Sequence, residues 1–220
     1  MRKILHTVLR VMTATALSVA VISFCYASEH PRRFPVELQV FAANANVLLK
    51  PAISERYKQG LRIRMAGSLG SLRFLAREYL QTSHQPQSNT GLLSGIAHLR
   101  RLFRHAQWQA LARQSRQLAK RYPFDMSGLE PRDAGAQAVL SGKHIYRHLC
   151  MGCHEHPDTT QAVPAPDLFS MATTEPTREL IARLIAGVHG TPAVALRNPF
   201  SDREIAGLAA YLRQAAQQQH

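Results

Sequence analysis

Residues 150–154 read Cys-Met-Gly-Cys-His, which puts two thiols and an imidazole on one turn of chain. Few chemistries ask for that arrangement, so it restricts the fold more than any other feature. A zinc site needs four donors, commonly in two separated pairs; His144, His148 and His156 stand nearby, but a second pair does not. A redox dithiol of the thioredoxin kind sits in a βαβ setting. Here no stretch alternates apolar and polar residues for long enough to suggest a sheet. Covalent haem uses all three residues. The two thiols add across the vinyl groups of the porphyrin, and the adjoining histidine lies under the ring and binds iron. Cys150, Cys153 and His154 are therefore read as the holder of one covalently attached haem c, with His154 as an iron ligand.

Compartment bears on thiol chemistry. The chain opens with Arg2, Lys3 and Arg10 and no acid, continues through an apolar run and reaches small residues at Ala27 and Ser28. That is the three-part pattern of a secretory signal, read here as residues 1–27 with cleavage after Ala27. A retained anchor would have only the shortest span that crosses ~30 Å of hydrocarbon. Lipoprotein cleavage before Cys25 would place bulky Phe24 where a small residue is usual. Cleavage leaves 193 residues and two cysteines, both in the motif. Two cysteines this close do not make a disulfide scaffold. The location expected is periplasmic.

The remaining pattern is helical. Residues 35–50 and 53–81 have helical spacing, with Gly60, Gly67 and Gly70 as breaks in the second stretch. Residues 83–91 are loop-like. Residues 92–122 carry Leu92, Ile96, Leu99, Leu102, Phe103, Leu111 and Leu118 at helical intervals, with a break expected near Ala106 and a stop at Pro123. Turn-forming residues then lead to a boundary near Asp133. Charge divides there too. Residues 28–133 hold 17 Lys and Arg against 7 Asp and Glu, a net charge of +10, whereas residues 134–220 hold 7 of each. The chain is thus read as all-α, a basic helical domain (28–133) followed by a neutral haem domain (134–220). Arg100, Arg101, Arg104, Arg113, Arg116 and Lys120 form a basic face opposite the apolar stripe. Such a face is either simply solvated or docks an acidic redox protein, a membrane redox complex or an anionic membrane surface. Export excludes nucleic acid.

From Asp133 onward the chain resembles the class I monohaem cytochrome c domains. The resemblance rests on several elements in order. Gly142 and Tyr146 precede the motif as a glycine–aromatic pair. "PAPDL" (164–168) follows it. Ser201 and Glu204 form a capping box that opens a helix with the stripe Ile205, Leu208, Ala209 and Leu212, and Tyr211 stands where the family packs an aromatic on its first helix. The resemblance implies that the carbonyl of Pro166 accepts the Nδ1 proton of His154 and so raises its basicity as a ligand. The activity implied is one-electron transfer, that of a carrier rather than an enzyme. No catalytic constellation is evident, and Glu155, Asp158 and Asp167 read as surface or capping groups.

On the other side of the iron the pattern breaks. The family has a methionine before its last helix, and counting from either side puts Ala193 there, with Val194 in place of the following proline. Alanine cannot bind iron. Three arrangements stay open: His189 as a second imidazole ligand, Met171 swung over the ring, or an iron that is open or capped from the basic domain, for example by Met126. An open iron would suit a ligand-binding or peroxidase-like haem protein. A docked basic domain would suit an accessory haem subunit of a larger redox complex.

Overall fold

The computed structural model describes residues 30–82, 89–187 and 200–218. Among them every regular element is helical and no strand occurs. Residues 1–27, read as an export signal, lie outside the described residues, as do His189, Ala193 and Val194. Among the described residues no helix is long and apolar enough to cross a membrane.

Four helices build the basic half: α1 (His30–Val47), α2 (Glu55–Thr82), α3 (Asn89–Arg104) and α4 (Trp108–Arg121). Helix α1 packs on α2 and α4, and α3 closes the ring by packing on the same two. The apolar positions recur at helical intervals, so each helix turns one stripe inward. Phe34, Leu38, Phe41 and Ala45 come from α1, and Leu61, Met65, Leu69, Leu72 and Ala76 from α2. Leu92, Ile96 and Leu99 of α3 meet them, with Leu111 and Ala112 of α4. Each large side chain buried here contributes ~1.5–3 kcal/mol against exposure.

The stretch 92–122 breaks where its pattern suggested. Ala106 adopts φ 52°, and Gln107 N donates to the Leu102 carbonyl at 3.0 Å, turning the chain from α3 into α4. Left-handed backbone costs a non-glycine residue ~1–2 kcal/mol. The tight α3–α4 packing offsets it. Helix α2, by contrast, runs through Gly60, Gly67 and Gly70 without a break. A glycine costs a helix interior only ~1 kcal/mol, and the buried stripe of α2 outweighs that.

The other half comprises α5 (Ala136–Ile145), a wider π-type turn (Tyr146–Cys150), α6 (Met151–His154), α7 (Leu168–Thr174), α8 (Thr177–Ala186) and α9 (Asp202–Gln218). Helices α5 and α9 cross at Gly142 and Gly207. A Cβ on Gly142 would fall on the Gly207 carbonyl, and one on Gly207 would fall on the Ala138 carbonyl. The two backbones can meet only because neither residue has a side chain. The capping box forms at the start of α9: Ser201 N donates to Glu204 Oε2 at 2.8 Å, and Glu204 N reaches Ser201 Oγ at 3.4 Å.

Helix α1 belongs to both halves. Its Val36 and Val40 turn away from the bundle into a second core with Leu180, Ile181, Leu208 and Leu212. Asn44 Oδ1 of α1 accepts from Arg183 Nη1 of α8 at 3.1 Å, and Arg183 also pairs with Glu175 and Glu179. The apolar residues of the segment between the halves are buried as well. Phe124, Met126 and Leu129 lie in the second core, and Arg178 donates to the Phe124 carbonyl at 2.6 Å while covering its ring.

Candidate functional site

The motif straddles the end of the π-type turn. Within that turn the carbonyl–amide ladder is one residue wider than in an α-helix, which re-aims the side chains that follow. Cys150 is partly buried against the second core, and Cys153, one turn on, is exposed. Both are free thiols. Burial pushes the Cys150 thiol up to about 11, with the neighbouring Cys153 adding to the rise. It is therefore a protonated thiol at neutral pH, not a resting thiolate nucleophile.

His154 ends α6 and is half-exposed. Its Nδ1 lies 2.6 Å from the carbonyl oxygen of Pro166. A carbonyl only accepts, so Nδ1 carries the proton and Nε2 keeps its lone pair for a metal. The Pro166 carbonyl is held from both sides. Downstream, Asp167 caps α7 by accepting from the amides of Phe169 at 2.8 Å and Ser170 at 3.3 Å. Upstream, Asp158 folds the loop by accepting from Thr160 N and Oγ1 at 2.9 and 2.6 Å. Glu155 accepts from the Tyr146 hydroxyl at 2.8 Å. Burial, then that bond, raises the Tyr146 pKa far above its ordinary value. Each of the three acids near the motif thus has a structural partner.

An aromatic cluster backs the motif. The Tyr146 ring lies 4.9 Å from Phe169 and 5.6 Å from Tyr211, centroid to centroid. Phe169 and Met171 are partly buried against the second core. Met126, 9 % exposed, sits inside that core. His144 and His148 are exposed, their ring centroids 4.2 Å apart and their planes tilted by 46°. Among the described residues no group of three or more His, Cys, Asp and Glu side chains comes together as a metal site.

The donor set fits a c-type haem. Two thiols lie one turn apart, Cys150 packs against the apolar second core, and the Pro166 carbonyl at His154 Nδ1 leaves Nε2 free for a metal. The family model described as "Cytochrome C oxidase, cbb3-type, subunit III" matches residues 137–212. Residues 137–212 are a class I cytochrome c-like domain. No curated protein and no solved structure matches the chain. The cytochrome c domain implies haem c binding and haem-based electron transfer. Its first and last helices are α5 and α9, and the Gly142–Gly207 crossing locks them together. Gly207 escaped the sequence reading, although a glycine inside the apolar run of a helix is the signal for such a crossing.

Proposed function

We propose that the chain is an exported c-type cytochrome that carries one electron at a time through a single covalent haem. The observation that supports this best is His154, whose Nδ1 proton is engaged by the Pro166 carbonyl so that Nε2 can bind iron. Cys150 and Cys153 hold the porphyrin through thioether bonds. When bound, the haem supplies the reversible ferric–ferrous couple. The residues of the chain would hold it, and the Pro166 carbonyl would orient His154 toward the iron. Residues 1–27 direct export to the periplasm, residues 28–133 form the basic domain and residues 134–220 the haem domain. The match to a subunit III model supports a redox complex as partner.

His189 is the second iron ligand in this reading, because Ala193 cannot supply the usual sulfur. The test is an optical redox titration of the holoprotein, with carbon monoxide added to the ferrous form. One haem per chain, a one-electron Nernst curve and little carbon monoxide uptake are expected. His189→Ala should then admit carbon monoxide readily, and Ala193→Met should introduce the absorption band of methionine–iron ligation. A wild-type iron that already takes up carbon monoxide, unaffected by His189→Ala, means an open site and favours ligand binding over transfer.

The basic domain is proposed to steer docking. Arg100, Arg104 and Arg113 are all exposed. Arg116 differs, because it is tied to Asn46 of α1. Replacing the first three with Glu should slow electron exchange with an acidic partner at least ten-fold at low salt. The difference should shrink as the screening length falls to ~8 Å at physiological ionic strength. Stopped-flow rates across a salt series check this, and a flat series shows the charge to be merely solvated surface.

A further inference from the structure

The loop that follows the haem motif is gripped by the basic half of the chain. Val163 belongs to the core of the four-helix bundle, not to that of its own domain, and is 5 % exposed. It lies over Gly60 of α2. A Cβ at Gly60 would come 2.7 Å from Ala162 Cβ and 2.7 Å from Val163 Cγ2, inside van der Waals contact. Arg64, one turn further along α2, donates to the Val163 carbonyl at 2.8 Å, and Arg56, one turn back, donates to the Thr160 carbonyl. Three successive turns of α2 therefore hold residues 160–163. Pro166, whose carbonyl meets His154 Nδ1, lies three residues beyond Val163. Between them stand only Pro164 and Ala165, and prolines at 164 and 166 stiffen the chain by fixing φ.

We propose that Arg56, Gly60 and Arg64 are positioning residues for the iron ligand: the basic domain clamps residues 160–163 and thereby presses the Pro166 carbonyl against His154. This rests on the reading of His154 as an iron ligand. The acceptor at Nδ1 gives the imidazole more imidazolate character and makes it a stronger donor. A stronger donor favours ferric over ferrous iron, so the clamp holds the reduction potential down. The basic domain is then part of the redox site as well as a docking surface, and any partner that shifts α2 would shift the potential.

The test compares Arg64→Ala, Gly60→Ala and Arg64→Lys with wild type as full-length holoproteins, and uses exposed Arg73→Ala, further along α2, as a control. Two quantities are read: reduction potential by spectroelectrochemistry, and amide hydrogen exchange over residues 158–168. Arg64→Ala and Gly60→Ala should raise the potential and speed exchange at least ten-fold in that segment, while the helical circular dichroism stays at the wild-type level. Arg64→Lys should recover most of both, since an ammonium can still reach the carbonyl, and Arg73→Ala should move neither. Faster exchange with an unmoved potential overturns the link to the ligand. Unchanged exchange overturns the clamp itself. If Gly60→Ala fails to fold, Arg64→Ala alone decides between these outcomes. A wild-type protein without covalent haem defeats the functional reading instead, and the clamp is then judged by exchange in the haem-free chain.

Discussion

Gly142→Val should unfold the cytochrome half well before the rest of the chain changes. The new side chain would have to occupy the space of the Gly207 carbonyl. That obstacle is backbone, at the crossing of α5 and α9, so no rotamer relieves it. Overpacking of side chains typically costs 1–3 kcal/mol, and a clash with fixed backbone belongs at or beyond the upper end, at least about 3 kcal/mol. For a chain of this size that corresponds to a fall of roughly 10 °C in melting temperature. Gly207→Val should behave alike, because its Cβ meets the Ala138 carbonyl. Gly67→Ala and Gly70→Ala are the contrast: nothing lies within 4 Å of a Cβ at either position. Each should stabilise α2 by ~0.5–1 kcal/mol, the ordinary penalty of glycine inside a helix. Differential scanning calorimetry of the four variants checks the sign at each site. Equal effects at all four positions would show that the crossing is not sterically locked.

The same glycines mark how far the sequence could be read. Spacing identifies helices well, because apolar residues three and four apart reveal one buried face. The all-α class, the break at Ala106 and the Ser201–Glu204 box all rest on local signals and appear in the structure at those positions. Glycine carries no such periodic signal. Gly60, Gly67 and Gly70 look alike in sequence, yet only Gly60 is buried, and it is the contact with Val163, about a hundred residues away, that makes it different. Helix α1 shows the other limit. Phe34 and Leu38 enter one core while Val36 and Val40 enter another. A helix that is apolar on two faces announces burial without saying which face meets which partner. The turn-rich stretch after Pro123 has the composition of a linker, but Phe124, Met126 and Leu129 anchor it in the haem-side core. Around the motif the reading reached further. The CxxCH spacing is a short-range feature, the Pro166 acceptor is what the resemblance to the cytochrome domains implies, and the structure brings His154 Nδ1 and the Pro166 carbonyl to 2.6 Å.

Replacing both Cys150 and Cys153 with Ser should abolish covalent haem altogether. In the proposed site each thioether would remove one way for the porphyrin to leave, and with neither present only an iron–imidazole bond and apolar contact would remain. The two sulfurs are not equivalent here. Cys150 is partly buried against the second core, with its thiol pushed up to about 11 by that burial, whereas Cys153 is exposed. The single variants should therefore differ. Cys153→Ser keeps the inner sulfur and should retain a minor fraction of haem through denaturing electrophoresis. Cys150→Ser puts a hydroxyl at a partly buried position against the second core, where an unpaired polar group costs up to ~1–3 kcal/mol, and should retain less. His154→Ala keeps both thiols but gives up the proposed iron ligand, so haem that attaches should stay covalently bound but become high-spin. Haem staining of denaturing gels and the pyridine haemochrome spectrum measure these outcomes in a host that matures c-type haem. The pyridine spectrum adds a second check, because its α-band position reports how many vinyl groups remain unsaturated. A wild-type protein that loses its haem on the gel, or whose double variant keeps it, would show that the iron is held in some other way.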